Sequence, residues 1–92
     1  RGVLQVYTEA LKWYHLAAEQ RHAEAQFALG QMYEGGEGTP VDLIQAHIWY
    51  NLASAQGQVG AAWRRDEIAE NMPLEEISSA QQRAVDWQEQ HQ

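Results

Sequence analysis

Cysteine is absent from this 92-residue sequence, which excludes disulfides and thiolate metal sites and leaves both oxidising and reducing compartments open. Lysine occurs once among six basic side chains. Proteins that grip phosphate backbones need clustered Lys and Arg, so nucleic acid is not an expected partner. No apolar run approaches the roughly 18 residues of a membrane-spanning helix, so membrane insertion is not expected. Proline occurs twice, both times at an expected helix boundary. Acidic side chains outnumber basic ones by thirteen to six, for a net charge of -7. That excess reads first as a solvated surface and second as a preference for a basic partner. Alanine, by contrast, appears fourteen times, which favours helices and their close approach.

What the chain does contain is a repeat. Ala10, Trp13, Tyr14, Leu16, Ala17, Gln20 and Ala25 recur 36 positions later as Ala46, Trp49, Tyr50, Leu52, Ala53, Gln56 and Ala61. Gly2 falls on Gly38 and Phe27 on Trp63 in the same register. A period of 20 to 50 residues marks stacked units rather than one closed globule. The expected division is the second helix of a truncated repeat over 1–22, a complete repeat over 23–58, the first helix of a last repeat over 59–72, and a capping helix with a tail over 73–92. The sequence begins inside a unit, so the residues specify no compartment.

The blocks WYHLAAEQ, AEAQFALGQMY and GEGTP, followed by VDLIQAHIWYNLASAQG, resemble the Sel-one-like repeat, a relative of the tetratricopeptide repeat. The resemblance runs from Gly2 to about Trp87. It implies an all-α solenoid of antiparallel helical hairpins closed by a C-terminal capping helix. It also implies a protein–protein interaction module rather than an enzyme, with no cofactor.

Helical spacing places the elements. Val6–Gln20 carries Tyr7, Ala10, Tyr14 and Ala17 on one face, with Trp13 and Leu16 widening it as though the helix had neighbours on both sides. Arg21 stands where the following unit has Gly57, which predicts a left-handed φ at a residue bearing Cβ, a strain of about 1–2 kcal/mol. Ala23–Tyr33 turns Ala25, Leu29 and Met32 inward, and Gly30 within it predicts a close approach by the next helix. EGGEGTP, from Glu34 to Pro40, is a turn; it lacks the Lys-Ser/Thr pair of a phosphate-cradling loop. Asp42 with Gln45 predicts a capping box, whereas Val6, its counterpart, cannot cap. Asp42–Gln56 buries Ala46, Trp49, Tyr50, Leu52 and Ala53. Ala61–Met72 follows, with Arg65 in the place of Leu29 and its guanidinium expected on an acid. After Pro73, Leu74 to about Gln90 shows one apolar stripe, Ile77, Ala80, Ala84 and Trp87, with an unassigned N-cap.

Chemistry of the catalytic kind has little to stand on. His15, His22, His47 and His91 lack metal-ligand spacing and are expected on the surface, His91 in a disordered tail. No nucleophile-base set is apparent, and the adjacent Glu75 and Glu76 project about 100° apart. In the tetratricopeptide pattern, Glu24, Phe27, Ala28 and Gln31 would face a concave groove, followed by Gly60, Trp63, Arg64 and Glu67. These are the expected contacts for a partner protein or peptide; the alternative is that Phe27 and Trp63 pack between helices. The rival function is a structural end-cap, or self-association through the N-terminal helix. Replacing Trp49 with Ala is expected to remove about 3–5 kcal/mol of stability, the range for truncating a core aromatic. A loss below about 1 kcal/mol in urea unfolding would show that the core has been misassigned.

Overall fold

The computed structural model describes residues 3–92, with side chains from residue 5 onward, so the match of Gly2 lies outside the described residues. These residues form five helices: α1 Val3–Glu19, α2 Ala23–Gly35, α3 Leu43–Ala55, α4 Ala61–Ala69 and α5 Leu74–Gln90. The architecture is the expected all-α solenoid of helical hairpins. Helix α3 is its centre: α2, α4 and α5 all pack on it, and α1 packs on α2.

The helix ends repeat as faithfully as the side chains. Arg21 has φ 68°, in the left-handed region, as Gly57 does at 87°. The Arg21 and His22 N–H groups donate to Ala18 O and Ala17 O at 2.9 and 3.2 Å. One unit later, Gly57 and Gln58 donate to Ser54 O and Ala53 O at 2.9 and 3.1 Å. Both sets close the last turn through a left-handed residue.

At the start of α3, Asp42 Oδ1 accepts from Gln45 N–H at 3.1 Å. Only half of the expected capping box forms, because the Asp42 N–H is donated to Tyr33 O at 2.9 Å instead. Three boundaries differ from expectation. Helix α2 runs on through Gly35, so Glu34 and Gly35 are helical rather than part of the turn. Helix α1 is already formed at Val3, so Val6 is not its start, and α4 stops at Ala69 short of Met72. Pro73 precedes α5 with no side-chain cap.

Two buried clusters hold the helices together. In the first, Trp49 and Leu52 of α3 meet Ala18, Leu29, Ala80 and Ala84. In the second, Ala46 and Tyr50 meet Ile68 and Met72. Trp49 is 4% exposed and lies edge-on to Trp87 and His15, with centroids 5.8 and 5.7 Å away. Gly30 explains itself here: a Cβ at this position would run into the ring of Tyr50. The close neighbour is a side chain of α3. Arg65 behaves as expected of a leucine replacement, donating from Nε to Asp66 at 2.9 Å and from a terminal nitrogen to Asn51 at 2.7 Å.

Three expectations are corrected. Helix α1 is covered on one side: Ala18 is buried, while Tyr7, Tyr14, Leu16 and Trp13, at 70%, are exposed. With α2 as its main neighbour, Trp13 and Leu16 are left the most open of these side chains. His91 is not in a disordered tail; it stacks on Trp87 at 3.7 Å and contacts Glu19 Oε1 at 2.8 Å. The Arg21 guanidinium donates to its carbonyl at 3.1 Å. Nor are His15 and His47 surface residues. His15 is half-buried and bonded to the Tyr33 hydroxyl at 3.0 Å, and His47 is buried on α3, because the α-helical face that carries Ala46 and Tyr50 is broad enough to include it.

Replacing Gly30 with Ala is expected to lower stability by up to about 2 kcal/mol. Overpacking of about 1–3 kcal/mol outweighs a helix-propensity gain of about 1 kcal/mol. Denaturant unfolding decides it, and a stabilised variant would mean that Tyr50 can move aside. A second expectation concerns pH. Burial lowers the pKa of His15, against a smaller upward pull from Glu19. Burial, then the Arg65 cation, lowers that of His47, with Asp66 opposing. The native state therefore binds fewer protons than the unfolded chain below about pH 6.5. Stability is full above that value and falls as the pH drops through it. Urea midpoints that do not decline between pH 7 and pH 5 would contradict this.

Candidate functional site

Helices α2 and α4 carry the expected contact residues, and α3 fixes their spacing from behind. Tyr50 of α3 is buried, with its ring against Gly30 and its hydroxyl donating to Glu34 Oε1 at 2.6 Å. Burial, and then the hydrogen bond to Glu34, raises the Tyr50 pKa, which keeps the phenol a donor. The same carboxylate oxygen accepts from Arg64 of α4 at 3.3 Å. One acid on α2 is thus bound by α3 and α4 together.

Most of the expected residues are spread over three depressions, two of which share Gln31. Gln31 and Arg64 line a depression of about 400 Å³ with Glu34, Gly35 and Glu37. Ala28 and Gln31 line another, of about 250 Å³, shared with Tyr7, Ala10 and Tyr14 of α1. Trp63 and Glu67 line a third, of about 190 Å³, with Asp66 and Glu70. Glu24 is exposed and lines none of the three. Gly60, with φ 94°, serves as the N-cap of α4.

The two aromatics diverge. Phe27 is half-buried, tilted against Tyr50 with centroids 5.6 Å apart, and packs on the second cluster. Trp63 is 68% exposed. Glu34, Asp66 and Glu70 line these depressions as well, and sequence reasoning did not single them out. The signal for two of them was available: Glu70 is the repeat counterpart of Glu34, and Trp63, Asp66, Glu67 and Glu70 follow the i, i+3, i+4, i+7 spacing of one helix face. Among the described residues, no three His, Asp or Glu side chains converge as a metal site. No described helix is long and apolar enough to cross a membrane.

The comparisons with known proteins agree with this architecture. Chitin synthase regulatory factor 3 of Schizosaccharomyces pombe is 46% identical over 61 residues, covering 66% of this chain and 6% of that protein. Chitin synthase regulator SKT5 of Malassezia restricta is 42% identical over 69 residues, 74% of this chain and 5% of that one. The ERAD-associated E3 ubiquitin-protein ligase component HRD3B of Arabidopsis thaliana is 30% identical over 101 positions, 97% of this chain and 17% of that protein. The chain therefore spans less than a fifth of the length of each of these relatives. No solved structure matches it. The family model of the Sel1 repeat matches residues 1–22 and 23–58, and the chain belongs to the Sel1 repeat family.

Proposed function

We propose that this chain is a protein-interaction module that holds a segment of a partner protein across α2 and α4. The observation that carries the reading is the exposed Trp63, an indole that intrahelical packing leaves unused beside Glu67 and Arg64. Large aromatics ringed by polar side chains are the usual anchors of protein contacts. Gln31, Ala28 and Glu24 extend the surface along α2, and Phe27 supports it from below. The relatives' names point the same way, since two are regulators of a chitin synthase and one is a component of a ubiquitin ligase. In this reading 23–58 is the complete repeat, 59–72 supplies the first helix of the next, and 73–92 closes the end.

A second reading has its own observation. Trp13, at 70% exposure, is the counterpart of Trp49, at 4%, so α1 presents a face that the second unit buries. That face suits a structural end, or self-association. One comparison separates the two, using exposed positions so that the core stays intact. In affinity capture with the full-length protein, Trp63→Ala is expected to lose partners at least tenfold while Trp13→Glu keeps them. Loss with Trp13→Glu alone, accompanied by a smaller assembly in sedimentation, would favour the second reading.

A further inference from the structure

The geometry points to the chemistry of the partner: the open face of α4 receives an arginine-bearing segment, its guanidinium against Trp63 and the carboxylates of Glu67 and Glu70. This inference rests on the reading of α2 and α4 as the docking surface.

The argument comes from the molecule's own repeat. Phe27, Gln31 and Glu34 on α2 correspond to Trp63, Glu67 and Glu70 on α4, each 36 positions later. The first set is already served from within. Arg64, supplied by the next unit, donates to Glu34 at 3.3 Å, and Phe27 leans on the Tyr50 ring. Among the described residues, the second set meets no side chain of a further unit. Trp63, Glu67 and Glu70 are exposed around a depression of about 190 Å³, and neither glutamate has an ion-pair partner among the described residues. The nearby cations are committed elsewhere, Arg64 to Glu34 and Arg65 to Asp66 and Asn51. What an internal arginine does for Glu34, nothing in the described chain does for Glu70.

The placement also works against α4 itself. Glu67 and Glu70 lie in the last turn and at the C-cap, beside the negative end of the helix dipole, where carboxylates destabilise. In α5 the acids Glu75 and Glu76 sit in the first turn, the favourable end. An exposed indole adjoining misplaced carboxylates is relieved in both respects by one kind of group. A guanidinium stacks on the indole face and donates charge-assisted hydrogen bonds to the carboxylates. The planar fork of Arg does both at once, whereas the ammonium of Lys is a compact, strongly hydrated charge.

Fluorescence anisotropy tests this with the full-length protein and a labelled nonapeptide alternating Arg and Gly. Wild type is expected to bind it at least tenfold more tightly than the citrulline form and several-fold more tightly than the lysine form. Trp63→Ala and Glu67→Gln/Glu70→Gln are each expected to weaken binding at least fivefold, while Glu75→Gln/Glu76→Gln, with the same change in net charge, leaves it within twofold. Equal losses in the two glutamine pairs would mean attraction by net charge alone and would overturn the inference, as would equal binding of the citrulline or lysine peptide. Hydrogen exchange over 23–35 and 61–70 separates this failure from the other. If a neutral apolar nonapeptide protects those segments and the arginine peptide does not, the arginine assignment falls and the docking surface stands. If neither peptide protects them and Trp63→Ala retains every captured partner, the docking surface falls too.

Discussion

The ring of Tyr50 lying on Gly30 sets the geometry from which the rest follows. The ring occupies the space a Cβ would need, so α2 must present bare backbone where the side chain of α3 packs. A phenol drawn that deep must keep a hydrogen-bond partner, because an orphaned buried hydroxyl costs roughly 1–3 kcal/mol. Glu34 supplies it at 2.6 Å. A carboxylate placed there is in turn partly withdrawn from water, and Arg64 reaches it from α4. Packing on one side and charge on the other thus join three helices through four residues. The spacing of α2 and α4, and with it the surface between them, depends on that sequence of requirements.

Much of this was legible in the residues. The 36-residue offset carried helix order, the buried set of α3 and the left-handed turn at Arg21, and a glycine inside α2 signalled a close neighbour at Gly30, which is the Tyr50 ring rather than a helix backbone. What sequence reasoning missed depends on which neighbours are present. Trp13 and Trp49 are the same residue in the same pattern, yet only Trp49 has α5 and α2 around it, so periodicity assigned α1 a second neighbour that α2 alone does not replace. His15 and His47 were assigned to the surface by residue type, but both lie on faces whose burial is set by adjoining helices. His91 was read as tail because nothing local reveals that the end of α5 returns to Glu19 and Arg21, some 70 residues earlier in the chain. The candidate surface was only half visible: Phe27 and Trp63 are repeat counterparts, but Tyr50 takes up the first and leaves the second.

The two sides of the described array differ, and the difference bears on what each can meet. On the α5 side, Arg65 stands where Leu29 would be, and Ala80 and Ala84 lay a narrow small-residue stripe on α3. Such a helix covers apolar surface with little bulk and turns its charges outward. The exposed face of α1 carries Trp13 and Leu16, side chains that another apolar helix face could bury without loss. The face of α4 cannot be covered that way. Packing an apolar helix over Trp63 would strip water from Glu67 and Glu70 and leave their charges without partners, a penalty of several kcal/mol for each. Only an occupant that brings its own cation avoids it. An indole and two carboxylates on one helix face therefore select against the stacking that the rest of the array uses, which is the physical ground for the arginine-bearing occupant proposed above.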